Sequence, residues 1–258
     1  SMTPGSGDVL LGKDVTAEKD VAIVSGKGNI VIGDVTTGDD GDVLSRTGNV
    51  SIRTDEGSVG IVKTVTAQQG SVGIASGQGD ILIGNNGADV QTVTAQENID
   101  VSTGSGQIKI YGKTSTQSGD ISMSAGSDGY AEGSQNFVID QNGLLQSGRD
   151  ITLAGRNGDL HVSDDIQAAR DLNARVSENG SIFFDTAVNV SNDLDISTDS
   201  GSITVGQTVS SDAGSVSLKT ASGDVLLGRD VTAEKDVAIA SGKGNIVIGA
   251  VTTGDDGD

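Results

Sequence analysis

Residues 15–33 read VTAEKDVAIVSGKGNIVIG, and residues 231–249 read VTAEKDVAIASGKGNIVIG, the same stretch with one change, Val24 to Ala240. Within each copy short β-branched runs (Val-Thr-Ala, Asp-Val-Ala-Ile, Asn-Ile-Val-Ile) alternate with Gly- and Ser-rich breaks, which is the punctuation of strands and tight turns. In Val21/Ile23 and Ile30/Ile32 the aliphatic residues stand two apart, so each pair points to one face of a strand. One copy therefore reads as three strands separated by corners.

The identity extends further on both sides. Gly7–Asp42 recurs as Gly223–Asp258 at an offset of 216 residues, with 33 of 36 positions unchanged; Lys13, Val24 and Asp34 become Arg229, Ala240 and Ala250. Such fixed-period self-similarity is the mark of a repeat architecture. The expected organisation is a cloning remnant or linker at residues 1–6, one 216-residue unit at 7–222, and the start of the next unit at 223–258, continuous with the first.

A smaller period runs through the unit. Aliphatic pairs return at Val50/Ile52, Val72/Ile74, Ile81/Ile83, Ile108/Ile110, Ile151/Leu153, Leu160/Val162, Ile203/Val205 and Val216/Leu218. Their spacing sums to about 21–22 residues per turn, with insertions. Turn starts are expected near Val15, Val35, Val65, Val93, Ser115, Leu144, Ile166, Val188, Val209 and Val231. No strand with so few apolar residues can bury its face alone, but stacked turns line up inward Val, Ile and Leu into columns. The fold expected is all-β: a right-handed parallel β-helix, or solenoid, with three strands per turn, its hand following the right-handed crossover rule. Gly26, Gly28, Gly77, Gly79, Gly104 and Gly106 are expected at corners, where positive φ or close backbone approach favours glycine.

Composition agrees with this architecture. Of 258 residues 39 are Gly, only 2% are aromatic, and Trp and Cys are absent, so a conventional compact core is not expected. The formal net charge of −20 repels phosphate backbones and anionic lipid surfaces, which disfavours nucleic-acid partners and direct membrane insertion. No apolar run reaches the length of a membrane span, and no signal-peptide leader is seen. The lack of cysteine fits either a cytosolic chain or one exported unfolded.

The cadence of Gly79-Asp80-Ile81-Leu82-Ile83-Gly84 and Gly201-Ser202-Ile203-Thr204-Val205-Gly206 resembles the repeats of filamentous haemagglutinin-type exoproteins, the large adhesins of two-partner secretion. The resemblance covers almost the whole chain. It implies a right-handed β-helix, secretion to the cell surface, and a role in adhesion. Neighbouring units of the same chain, end-to-end or lateral self-association, and a host-cell or bacterial surface receptor are the partners this reading admits.

Three functions follow: a structural stalk, an adhesive or self-associating surface, and a carbohydrate-active β-helix enzyme. Near-identical long repeats favour the stalk, because an array multiplies length more usefully than it multiplies a catalytic site. The enzyme reading needs paired carboxylates and sugar-stacking aromatics, whereas the aromatics are only Tyr111, Tyr130, Phe137, Phe183 and Phe184. The sole histidine, His161, in Leu160-His161-Val162, is expected to point outward as a solvated strand residue. No catalytic residue and no cofactor is assigned, and the chain is read as not an enzyme. Asp39-Asp40-Gly41-Asp42 and Asp164-Asp165 are acidic turns that offer oxygen ligands to Ca²⁺, but the tandem nonapeptide period of calcium-binding rolls is missing. No phosphate-cradling Gly-rich motif is present.

Contact surfaces are sought on outward positions and insertions. Val31, Leu82 and Phe183, together with Leu226 and Val247, are expected as outward apolar residues of a lateral contact patch. Insertions are expected at Asn85–Asp89 and Ser127–Gln135, the second carrying Tyr130. Thr16, Thr36, Thr66 and Thr94 are expected to form an outward ladder on the first strand of each turn, interrupted by Gln167 and Asn189.

Overall fold

The structure, a computed structural model, describes residues 1–2, 5–33, 41–85, 92–126 and 135–254. It is a right-handed parallel β-helix with three strands per turn, in which 32 short strands among the described residues form three parallel sheets. The first sheet has eleven strands beginning with Val9–Leu11, the second eleven beginning with Val15–Ala17, and the third ten beginning with Val21–Ser25. Every strand pairs with the strand three places along the chain, so each turn lies directly on its neighbour.

The register is in line apart from two local irregularities, between Gln135 and Phe137 and between Val176 and Asn179. Ile81, for example, lies between Val59 and Ile108, and Val101 between Ile74 and Met123. Inward positions alternate with outward ones, and the inward columns are mainly aliphatic, with Ser and Thr buried at strand ends; Ile30, Ile52, Ile81, Ile108 and Ile203 are all fully buried. Phe137 and Phe184 are also inward, the bulkiest members of the core. The core is thus a stack of layers rather than a globule, and each layer is completed by the turns above and below it.

Turn starts fall at Val15, Val43, Val65, Val93, Thr114, Leu145, Ile166, Val188, Val209 and Val231. Nine intervals span the 216-residue offset, as the sequence reading expects, but the second start is corrected. Val43–Ser45, not the segment at Val35, stacks between Val15–Ala17 and Val65–Ala67. Val35 and Thr36 lie outside the described residues. In the second copy the corresponding Val251–Thr253 does occupy this slot, beside Val231–Ala233. The slot requires only one buried β-branched residue followed by a small one two places on, and both Val-Leu-Ser and Val-Thr-Thr supply that pattern.

The glycines named above sit at corners, and of the two expected reasons it is close backbone approach, not positive φ, that holds. None of the six has a positive φ. A Cβ on Gly28 would lie 2.2 Å from the carbonyl oxygen of Gly7, on Gly79 2.3 Å from that of Gly57, and on Gly106 2.1 Å from that of Gly79. Turns approach too closely there for any side chain, and the result is a column of glycines along one edge. Positive φ occurs at Gly33 and Gly84, at 92° and 88°, where the chain leaves the first sheet, and at Gly158, at 87°, in the corner before it enters that sheet.

Side chains complete the corners. Ser25 Oγ donates to the Gly7 carbonyl at 3.0 Å and accepts from Gly28 N at 3.0 Å. Thr54, Ser76 and Thr103 repeat the arrangement turn after turn. At the entry to the third sheet a second ladder runs on the outside: Asn49 N donates to Asp20, Ser71 N to Asn49, Asp120 N to Asn98, and Ser215 N to Asp193, at 2.8–2.9 Å. Asp, Asn and Ser interchange at these positions because each brings one acceptor oxygen to the amide of the next turn. Met2, within the segment read as remnant or linker, bridges Ile23 and donates to the Ala22 carbonyl.

Candidate functional site: the outward column of the first sheet

Each three-residue strand of the first sheet turns its middle side chain outward, so stacking in register draws one column along the rod. It runs from Leu10 through Val31, Gly60 and Leu82 to Lys109. It continues through Val138, His161 and Phe183, then Thr204, Leu226 and Val247. Val31, Leu82 and Phe183, predicted outward from sequence, all lie on this line, as do Leu226 and Val247. The sequence reading missed that Leu10 and Val138 join them, because it weighed strands one at a time. Only the in-register stacking turns scattered residues into a stripe.

The other two faces differ. The second sheet's outward column is polar and uncharged apart from Leu44: Thr66 and Thr94 pair as expected, then Ser115, Gln146, Gln167 and Asn189 follow. Leu44 takes the place expected for Thr36. The third sheet carries Arg53, Asp100, Arg175, Asp195 and Lys219 outward among small residues. On a chain of net charge −20, the first-sheet column contains no carboxylate and carries Lys109 as its one formally charged residue.

Near one end the stripe is hollowed. Gly60 has no side chain, and a Cβ there would meet nothing within 4 Å. Val31 and Leu82 stand on either side, and with Lys109, Tyr111 and Asn85 they line an open groove of about 670 Å³. Asn29, Ser58 and Asp80 form its polar margin.

Towards the other end stands His161, outward as expected but not simply solvated. Its Nδ1 lies 2.9 Å from Gln135 Nε2 and its Nε2 2.9 Å from Asp185 Oδ2, while Ser163 Oγ lies 2.9 Å from the same carboxylate oxygen. A serine, a histidine and an aspartate thus meet, but not in the order of a nucleophilic triad. With the Gln135 amide donating to Nδ1, the ring proton sits on Nε2 and points to Asp185. Ser163 donates to Asp185 as well, and its Oγ lies 3.4 Å from the same Nε2, so in this arrangement the ring presents a proton rather than a lone pair to the hydroxyl. The cluster's geometric effect is mechanical: the pinned imidazole holds the Phe183 ring at a centroid distance of 5.7 Å and a tilt of 59°.

The remaining sequence candidates fall elsewhere. Tyr130 and most of the Ser127–Gln135 insertion lie outside the described residues, as do Asp39 and Asp40. Asp42 Oδ1 accepts from Thr64 N, and Asp164 Oδ1 from Asp165 N, so each acidic turn already directs an oxygen to backbone. Among the described residues no three His, Cys, Asp or Glu side chains converge as a metal centre would require.

One ion pair stands out on the outer ladder. Arg170 donates from Nε to Asp150 Oδ1 at 2.9 Å and from Nη2 to Oδ2 at 2.6 Å. This fork holds the Asp150 carboxyl below its ordinary value of 3.8, with the Asp171 amide and the Arg149 charge adding to the effect against a smaller opposing cost of burial.

No family model, curated protein or solved structure matches this chain.

Proposed function

We propose that this chain is a stalk segment: a rigid spacer unit of a secreted or surface-displayed, adhesin-like bacterial exoprotein of the filamentous haemagglutinin type, and not an enzyme. The observation that carries the reading is the passage of the solenoid through the point where the sequence begins to repeat. Val225–Leu227 stacks on Ile203–Val205 and is followed by Ile246–Val247 in the same register, so the second copy extends the same sheets. At about 4.8 Å per turn, nine turns extend the rod by about 43 Å for each unit. A spacer of this kind needs no catalytic group and no cofactor, and its first partners are the neighbouring units.

Display height tests the reading. Chains of one, two and three units are anchored at the carboxyl end to a surface carrying a polymer brush, with an epitope at the amino end. The epitope should become accessible to antibody only when the unit number lifts it above the brush. Accessibility independent of unit number, or release of sugar fragments from polysaccharide by a single unit, would count against a passive stalk. A second reading, in which the flank itself binds, is favoured by the apolar column.

A further inference from the structure

We infer that the outward column of the first sheet is self-complementary, and that a second copy of this chain docks on it antiparallel, with Phe183 of each copy seated in the Gly60 notch of the other. The inference goes beyond the stalk reading and does not depend on it, since one unit carries both halves of the contact.

Charge selects the face. Two copies at −20 each repel wherever their carboxylates meet; this column presents none along its line, and the carboxylates nearest it, Asp80 at the notch and Asp185 beside His161, stand at its margins. Shape selects the seat. The notch at Gly60 opens outward between Val31 and Leu82, and Phe183 is an outward ring held in place by His161.

Position selects the register. Counted along the sheet, Gly60 is on the third strand and Phe183 on the eighth. A twofold axis between the fifth strand, with Lys109, and the sixth, with Val138, therefore brings both notches onto both rings at once. Val31 then faces Thr204 of the other copy. An antiparallel pairing shifted by one strand seats neither ring.

Ten overlapping turns span about 48 Å. A stripe about 10 Å wide then gives on the order of 1,000 Å² of buried surface over both copies, at the weak end of specific interfaces. In a tandem array the nine-turn period repeats the same register, so contacts multiply with overlap.

The chain has no cysteine, so single thiols report the pairing without interference. Val31→Cys and Thr204→Cys chains are oxidised separately and as an equimolar mixture, at concentrations on the order of 100 µM where an interface of this size associates. Both side chains point outward, so the core is untouched, and circular dichroism checks each variant. The mixture should form a disulfide-linked dimer roughly tenfold faster than either chain alone, because the register holds the unlike thiols together. Raising the ionic strength should speed it further by screening the like charges. Gly60→Phe, which fills the notch without touching the core, should reduce the mixed rate to that of an outward control pair on the second sheet, Gln167→Cys with Asn189→Cys. A mixed rate no higher than the control, or a Val31→Cys chain that links fastest to itself, would overturn the antiparallel dimer. A rate unmoved by Gly60→Phe would overturn the notch as its seat.

Discussion

At Gly106 a Cβ would lie 2.1 Å from the Gly79 carbonyl oxygen, whereas at Gly73 it would meet nothing within 4 Å. Gly106→Ala should therefore cost about 3 kcal/mol, as overpacking does where backbone blocks the way. Gly73→Ala should be neutral or slightly stabilising, since glycine weakens a strand interior. Neither glycine has a positive φ, so urea denaturation of the two variants tests close approach as the reason for glycine at the corner. A residue of the opposite kind is Thr114, fully buried in a column otherwise filled by Val, Leu and Ile, with its Oγ1 lacking a hydrogen-bond partner. Thr114→Val removes that desolvated hydroxyl at equal shape and should raise stability by about 1 kcal/mol. An equal or lower denaturation midpoint would show that the hydroxyl is satisfied.

At the scale of strands and corners, the alternation of aliphatic residues in runs such as Val21–Ser25 made strands, faces and the nine-turn count readable, because burial imposes a period of two. Competition between segments was not readable. Val35-Thr36-Thr37 and Val43-Leu44-Ser45 both satisfy the second-sheet slot, and local pattern cannot rank them. The His161 cluster, and the place of Leu10 and Val138 in the stripe, were hidden for a related reason: Gln135 and Asp185 are 26 and 24 residues from His161 in sequence and meet it only through stacking. The corner ladders were visible as an Asp, Asn or Ser before each strand, but their bonds go to the neighbouring turn. The Asp150–Arg170 fork gives this element a pH signature. Since the folded carboxyl titrates below its ordinary 3.8, its contribution is present above that pH and is lost as pH falls through the depressed folded value. The stability gap between the wild-type chain and Asp150→Asn should hold from neutral pH to about 4 and narrow below it, followed by thermal denaturation across that range. A gap unchanged down to pH 2 would mean that the fork is not coupled to folding.

For the whole molecule, the sequence repeat and the stacking register describe one object, because a 216-residue offset equals a whole number of turns. If it did not, the second copy of residues 7–42 would begin on a different sheet and the units could not continue one another. Val9 and Val225 both begin strands of the first sheet, and Val15 and Val231 both begin strands of the second. Length therefore grows in whole turns, the apolar column returns on the same side in each unit, and stiffness comes from sheets without a break. The direct measurement is small-angle X-ray scattering on chains of one and two units. The maximum dimension should grow by about 43 Å while the cross-sectional radius stays constant. A two-unit particle that stays compact, or whose scattering requires a hinge between units, would contradict the continuous rod.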